Sequence, residues 1–213
     1  MAQDGKKMSI AALIVAAGRG TRAGGNDPKQ WQMLAGKRVI DHTLNAFKQH
    51  RNIDTILVVL HPEDQNRLTD PAIKTALGGA TRNKSVYNGL RALRAAAPKQ
   101  VLIHDVARPL ISAKCITDVI EALRTHRGAA PALPITDALW RGQDGLVSET
   151  VARKNLFRAQ TPQGFDFESI LQAHAQACGA AADDVEVAMQ AGLDVKIIAG
   201  HEENIKITLP EDF

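Results

Sequence analysis

Short, nearly continuous apolar runs alternate along the chain with longer segments whose apolar residues recur every three or four positions. The first pattern is typical of strands buried on both faces of a parallel sheet, and the second of amphipathic helices. The apolar runs predict strands at Ile10–Val15, Thr55–Leu60, Val101–His104, Ala129–Leu133 and Val195–Ala199. The helical spacing predicts helices at Val39–Lys48, at a segment after Gly78-Gly79 that contains Val86, Leu90 and Leu93, and at Ser112–Arg127, Phe167–Ala177 and Asp184–Ala191. This order predicts an α/β fold, with a Rossmann-like, mostly parallel sheet flanked by helices, in a single domain over residues 1–213.

The pattern changes between residues 137 and 160. Leu139-Trp140, Leu146-Val147 and Leu156-Phe157 alternate there with polar residues, around the turn sequence Gln143-Asp144-Gly145. Such alternation around a turn predicts a β-hairpin and not another crossover helix. We therefore predict a projecting β-arm over about residues 137–160. Because an isolated hairpin is only marginally stable in water, we expect the arm to pair with its copy in a homodimer.

Composition narrows the functional class. The chain has 45% hydrophobic and 23% charged residues, which is ordinary for a globular protein. The net charge of +3 is modest and the basic residues are scattered, so we expect no nucleic-acid partner. The apolar run after Lys6-Lys7 is too short for a signal peptide or a membrane span. Cys115 and Cys178 lie far apart, which predicts buried thiols in a reducing compartment. Because neither a signal peptide nor a membrane span fits, we expect a cytoplasmic location and no membrane partner.

A glycine-rich segment, Ala16-Ala17-Gly18-Arg19-Gly20-Thr21-Arg22-Ala23-Gly24, follows the first predicted strand. Ligands of open α/β sheets bind at this carboxyl edge, and glycines let backbone N–H groups approach phosphates. Two interpretations compete, a dinucleotide site and a nucleoside triphosphate site. The first requires a helix that starts inside the motif and an acid at the end of the second strand, but breakers follow Gly20 and that strand ends in Leu60-His61-Pro62. Arg22 and Lys29 favour the triphosphate, because their charges can neutralise phosphates.

A second candidate lies at the end of the third predicted strand, where Asp105 is followed three residues later by Arg108. One carboxylate with substrate phosphates suits magnesium, and Arg108 can bind a second phosphate through two parallel hydrogen bonds. Alternatively, the two side chains pair with each other and stabilise the loop, and spacing alone favours neither interpretation. His104 is interpreted as structural, since no second histidine or cysteine stands at metal-ligand spacing.

Five motifs occur in an order that resembles the 2-C-methyl-D-erythritol 4-phosphate cytidylyltransferase family of non-mevalonate isoprenoid synthesis. They are Ala16-Ala17-Gly18-x-Gly20-x-Arg22 with Pro28-Lys29-Gln30, Gly78-Gly79-x-x-Arg82-x-x-Ser85-Val86, His104-Asp105-x-Ala107-Arg108-Pro109, Thr161-Pro162-Gln163 and Asn204-Ile205-Lys206-Ile207-Thr208. The resemblance implies a nucleotidyltransferase fold and a transfer of CMP from CTP to methylerythritol phosphate with Mg²⁺.

The resemblance also implies roles for particular residues. Arg22, Lys29 and Lys206 would stabilise the α-phosphate in the transition state. The nucleotide would be held by Ala16, Ala17, Gly18 and Gly20, with Gly79 and Ser85 reading the cytosine. Asp105 would bind the metal and, with Arg108 and Thr161, approach the acceptor phosphate, which Arg153 on the arm of a neighbouring subunit would also bind.

Alternatives stay open at this point. A related enzyme such as ribitol 5-phosphate cytidylyltransferase shares the loop and the metal aspartate and also uses a polyol phosphate. A non-catalytic nucleotide-binding module or a Rossmann oxidoreductase would need neither Asp105 nor Lys206. Some family members continue into a cyclodiphosphate synthase, so a second enzymatic domain after Phe213 is a further possibility.

Overall fold

The computed structural model describes residues 9–20 and 27–213. Its strands are β1 (Ile10–Ala16), β2 (Met33–Leu34), β3 (Lys37–Arg38), β4 (Thr55–Leu60), β5 (Lys74–Leu77), β6 (Gln100–Asp105), β7 (Gly128–Pro134), β8 (Leu139–Gln143), β9 (Leu146–Val151), β10 (Phe157–Ala159), β11 (Gln163–Asp166) and β12 (Val195–Ala199). Its α-helices are α1 (Val39–Lys48), α2 (Arg82–Leu93), α3 (Ala113–Ala122), α4 (Phe167–Gln176) and α5 (Asp184–Gln190). Short 3₁₀ turns lie at Lys29–Trp31, Pro62–Asp64, Arg94–Ala96 and Pro210–Asp212.

The central sheet has the strand order β10-β7-β11-β6-β1-β4-β5, and β12 also pairs with β7. The pairs β6–β1, β1–β4, β4–β5 and β12–β7 are parallel, whereas β10 and β11 run antiparallel to their neighbours. In the register of this sheet, Val15 lies opposite Asp105 and Ala16 lies opposite Leu60. The carboxyl ends of β1, β4 and β6 therefore meet at one edge, and the predicted mostly parallel α/β fold is confirmed.

Helices cover both faces because successive residues of the buried strands point in opposite directions. Ala12 and Ile14 pack with the apolar side of α1 and α3, whereas Ala11 and Leu13 pack with α2 and α4. Each of these four strand residues is fully buried. The apolar runs of the sequence thus become the middle layer of three.

The hairpin prediction is confirmed, but its extent was wrong. Strands β8 and β9 form a separate antiparallel pair, and their turn has positive φ at Asp144 (52°) and Gly145 (80°), as two-residue hairpin turns require. Strand β10, which the arm was predicted to include, instead returns to the central sheet, with Phe157 opposite Pro134 of β7. The arm of this chain is therefore Leu139–Val151.

Other differences concern short or exposed segments. Strands β5 and β11 were not predicted, and the helix predicted over 112–127 spans only Ala113–Ala122. The expectation of two buried thiols holds for Cys115 but is wrong for Cys178, which is exposed in the loop after α4. Both thiols are free. Within the described residues, no helix is long and apolar enough to cross a membrane.

Candidate active site

A cleft of about 490 Å³ opens at the carboxyl edge of β1, β4 and β6. Seven of the residues singled out from the sequence line it, namely Ala17, Gly18, Lys29, Gly79, Ser85, Asp105 and Lys206. Arg19, Gln30, His61 and Arg82 also line it, although no role was predicted for them. The fold thus brings together side chains that are far apart in sequence.

The glycine loop is fixed by a buried glutamine. Gln30 Nε2 donates to the carbonyl oxygens of Ala16 and Gly18, each at 3.1 Å. Gly20 has a φ of +61°, and a Cβ there would come within 2.9 Å of Lys29 Cγ, so only glycine fits comfortably. Lys29 Nζ donates to the Ile207 carbonyl at 2.7 Å, which holds its charge beside the loop. Ala16 itself is buried in β1, and Arg22 lies outside the described residues.

The second glycine pair packs against this loop at the start of α2. A Cβ on Gly78 would come within 2.5 Å of Ala17 Cβ, so the close approach of the two loops requires glycine. Gly79 N donates to Ser85 Oγ at 3.0 Å, and Ser85 Oγ donates to the Thr81 carbonyl at 2.9 Å. Thr81 caps α2, whose first residue is Arg82. The cleft thus faces a helix N-terminus, which favours anions.

Asp105 lies at the centre of the charged part of the cleft. Its side chain is 13% exposed, with Oδ2 2.7 Å from Lys206 Nζ and Oδ1 3.6 Å from Arg82 Nη2. Burial alone would raise the pKa of Asp105, but the charges of Lys206 and Arg82 outweigh it and hold the pKa well below its usual range. Asp105 is therefore a carboxylate throughout the physiological pH range.

Arg82 connects the cleft to a buried acid that the sequence analysis did not use. Its two terminal nitrogens donate to both carboxylate oxygens of Asp184 at 3.0 and 2.8 Å. Asp184 is completely buried at the start of α5, and His174 Nε2 lies 3.2 Å from its Oδ1. Burial lowers the pKa of Arg82, but the charge of Asp184 more than compensates, so that the pKa lies above its ordinary value. Arg82 is part of the second motif, but the sequence analysis gave it no role. Its place in the cleft follows from its pairing with Asp184, which lies far away in the chain.

Three residues predicted for the acceptor side do not line this cleft. Arg108 is buried and donates to the carbonyl oxygens of Asn204 at 2.6 Å and Ala159 at 3.2 Å. Thr161 is buried behind Asp105, where its Oγ1 accepts a 3.2 Å hydrogen bond from the Asp105 backbone N–H. Arg153 is exposed just beyond the arm. The alternative in which Asp105 and Arg108 pair with each other is wrong, because Asp105 pairs with Lys206 and Arg82 instead.

The donor set is compatible with a metal at Asp105 but not at His104. Of the described residues that line the cleft, Asp105 is the one carboxylate, and no cluster of three His, Cys, Asp or Glu side chains forms within the described ranges. Magnesium accepts one carboxylate when phosphates and waters supply the other oxygens. His104 Nε2 donates to the Arg108 carbonyl at 3.1 Å and Nδ1 lies 2.9 Å from Thr161 Oγ1, so both ring nitrogens are occupied. Burial lowers the pKa of His104 to about 4, in agreement with a structural role.

One cleft at the carboxyl edge of a mostly parallel sheet thus combines a glycine loop, a helix N-terminus, two lysines and one carboxylate, as is typical of a nucleotidyltransferase. The family model described as 2-C-methyl-D-erythritol 4-phosphate cytidylyltransferase matches residues 10–213. The chain belongs to the 2-C-methyl-D-erythritol 4-phosphate cytidylyltransferase family.

Individual relatives agree with this assignment. A 2-C-methyl-D-erythritol 4-phosphate cytidylyltransferase of Cereibacter sphaeroides strain ATCC 17023 is 52% identical over 212 residues, which cover 97% of this chain and 94% of the relative. A bifunctional enzyme IspD/IspF of Ruegeria pomeroyi is 55% identical over 97% of this chain, but this match covers only 55% of that protein. The crystal structure of the cytidylyltransferase from Thermus thermophilus superposes with a TM-score of 0.80 at 33% identity, over 96% of this chain and 95% of the other.

Proposed function

We propose that this chain transfers CMP from CTP to the phosphate of 2-C-methyl-D-erythritol 4-phosphate, releasing pyrophosphate. The observation that carries the proposal is the convergence of Lys29, Lys206 and Arg82 on one cleft beside the glycine loop. Family membership and the names of the relatives favour methylerythritol phosphate over ribitol 5-phosphate as the acceptor.

In this reaction an oxygen of the acceptor phosphate attacks the α-phosphorus of CTP, and the bond from that phosphorus to the bridging oxygen of pyrophosphate breaks. The acceptor phosphate is already anionic, so no general base is needed. Catalysis then consists of positioning and charge stabilisation. Lys29 and Lys206 supply the positive charge at the α-phosphate, and Arg22 is proposed to act with them.

Asp105 is the residue that would hold magnesium in this cleft. When bound, the metal neutralises triphosphate charge and favours departure of pyrophosphate. The permanently charged carboxylate of Asp105 fits this role, because magnesium binds hard anionic oxygens. Lys206 Nζ, 2.7 Å from Asp105 Oδ2, is close enough to contact the same phosphates.

Recognition of the base is assigned to the paired loops. Backbone groups of Ala16, Ala17, Gly18 and Gly79 would contact the nucleotide, and Ser85, only 3% exposed, would hold the Gly79 loop in the shape that admits cytosine. Arg108 and Thr161 would support the acceptor side, behind Asp105, and not contact CTP.

We further propose that the enzyme is a cytoplasmic homodimer held through the arm. Trp140, Leu146 and Val147 are 66%, 75% and 57% exposed on this two-stranded sheet, which is a large apolar surface for so small an element. Arg153 is exposed and does not line the cleft of its own chain. Pairing of two arms would cover the apolar residues and bring Arg153 to the acceptor side of the partner's cleft.

Pyrophosphate release from CTP tests the reaction. The purified chain with Mg²⁺ is given methylerythritol phosphate, ribitol 5-phosphate or no acceptor in parallel assays. We expect release with the first only. Pyrophosphate release with ribitol 5-phosphate alone would show that this is the acceptor. If CTP binds but neither acceptor causes release, the chain is a nucleotide-binding module and not an enzyme of this kind.

Mixed dimers test the shared site. Arg22→Ala and Arg153→Ala should each be nearly inactive, but co-refolding the two variants creates dimers in which one site has both arginines. Activity should return to a fraction of the wild type. If mixed dimers form and remain inactive, Arg153 acts within its own chain or has no role in the reaction.

A further inference from the structure

One short segment after β4 contacts both flanks of residues 21–26. Arg19, before that stretch, lies with Nη2 3.0 Å from Glu63 Oε2. Asp27, after it, accepts two parallel hydrogen bonds from Arg67, at 2.7 and 2.6 Å. Glu63 and Arg67 both belong to Pro62–Arg67, which we call the β4 brace.

Asp64 joins the two halves of the brace. Its side chain is only 4% exposed, with Oδ2 3.9 Å from Arg19 Nη1 and Oδ1 3.6 Å from Arg67 Nη1. The Oδ2 atom accepts no hydrogen bond from a described residue. A buried carboxylate is stable only when opposite charge lies near it, so Asp64 draws both arginines, and with them both flanks, toward one point.

Arg67 is itself held in place on the other side. Its guanidinium lies 4.5 Å from the centre of the Trp31 ring, and its carbonyl accepts a 3.3 Å hydrogen bond from Arg38. Trp31 is 3% exposed and belongs to the same short 3₁₀ turn as Lys29. The pair of hydrogen bonds from Arg67 is the main cause of the lowered pKa of Asp27, in agreement with a persistent ion pair. The brace therefore connects the glycine loop to the turn that carries a catalytic lysine.

We propose that Asp64 and Arg67 are positioning residues that hold Arg19, Asp27 and the Lys29 turn in the arrangement that binds CTP for reaction. This inference rests on the proposed function. Neither residue lines the cleft, so both act through the residues they hold. Small misplacements of catalytic groups lower rates steeply, which is why a remote ion pair can have a large effect.

The kinetic test uses Asp64→Asn, Arg67→Gln and Arg67→Lys, with Arg91→Gln as the matched control. Arg91 also lies over an aromatic ring, Tyr87 at 5.9 Å, but on the exposed side of α2 and away from the cleft. We expect Asp64→Asn and Arg67→Gln to lower kcat/KM for CTP about ten- to hundredfold, with KM for the acceptor changed less than about twofold. Arg67→Lys should give an intermediate kcat/KM for CTP, since lysine keeps the charge but cannot make two parallel hydrogen bonds to Asp27. An equal rise in KM for CTP and for the acceptor, or kinetics that match those of Arg91→Gln, would overturn the inference.

A second readout does not depend on turnover. Amide hydrogen exchange of the ligand-free chain, measured by mass spectrometry, should be faster by roughly threefold or more at residues 27–31 in Asp64→Asn and Arg67→Gln than in the wild type. The peptides of α4 and the urea midpoint report whether the fold is intact. If the wild type does not turn over, the proposed function fails, and this exchange measurement alone decides the inference. Unchanged exchange at residues 27–31 in Asp64→Asn and Arg67→Gln would overturn it.

Discussion

The pairing of Arg82 with Asp184 allows the sharpest stability prediction. Replacement of Arg82 by glutamine leaves Asp184 completely buried without its two hydrogen bonds of 2.8 and 3.0 Å. Hydrogen bonds to charged groups contribute about 1.5–3 kcal/mol each, and loss of one partner of a buried pair costs about 3–5 kcal/mol. Because the Arg82 side chain is 26% exposed and partly screened, we expect a loss of about 3 kcal/mol in the free energy of unfolding.

A double variant separates this charge effect from lost packing. Adding Asp184→Asn to Arg82→Gln removes the uncompensated charge, so the double variant should regain about 2 kcal/mol relative to Arg82→Gln alone. Arg124→Gln is the control, since Arg124 pairs with Glu121 at 63% and 47% exposure. That variant should lose less than about 0.5 kcal/mol.

The assay is equilibrium urea unfolding at pH 7, followed by far-ultraviolet circular dichroism. A loss below about 1 kcal/mol for Arg82→Gln would mean that Asp184 is compensated without arginine. A double variant less stable than the single one would show that the charge of Asp184 is not the destabilising factor. Either result would refute the reasoning.

Three further outcomes are expected. Lys29→Ala should lower kcat far more than CTP affinity in kinetic and direct binding assays, because its charge matters most when the α-phosphate is pentacoordinate; equal losses would restrict it to ground-state binding. CTP should exceed GTP in pyrophosphate release by about a thousandfold, since a site built for one base leaves its polar groups unpaired with another; comparable rates would contradict the cytidylyl assignment. Burial lowers the pKa of His50, so the unfolded chain takes up its proton first, and unfolding free energy should fall as pH decreases from 7 toward 5. That decrease should be smaller in His50→Gln, and identical pH profiles would exclude His50 as its source.

The sequence predicted those strands whose residues are buried on both faces. Continuous apolar runs predict β1, β4, β6 and β7, because buried strands need no polar alternation. The apolar run of β12 was also predicted as a strand, although none of its residues is buried. Strand β5 was missed since its sequence, Lys74–Leu77, is short and mostly exposed at the sheet edge. Strand β11 was missed because it begins with a glutamine, which is buried only because Asp183 and the backbone N–H groups of α5 bond its amide. Such compensation comes from a distant segment and leaves no local pattern.

The residues of the candidate site also differ in whether local sequence identifies them. The glycines, Lys29 and Asp105 could be identified because loop chemistry and strand ends are local features of the sequence. Placing Lys206 in the site depended on the family resemblance, since nothing in its neighbourhood indicates that it lies 2.7 Å from Asp105. The role of Asp184 depends on Arg82, far away in the chain, and that of Asp64 depends on distant Arg19 as well as on nearby Arg67. An isolated aspartate in a sequence looks the same whether it is solvated or buried against a guanidinium.

The positively charged side chains of the cleft are held in place by other groups of the protein, which bears on catalysis. Each described lysine or arginine that lines the cleft is held by a partner: Lys206 by Asp105, Arg82 by Asp184, Arg19 by Glu63 and Lys29 by the Ile207 carbonyl. Unpartnered cations so close together would repel one another, and their reorientation around a triphosphate would add to the barrier. Anchored cations avoid most of that cost, because their positions are set before the nucleotide enters. The acids around this cleft therefore contribute to phosphate chemistry by fixing positive charge, and removal of an acid should lower the rate even where it never touches the substrate.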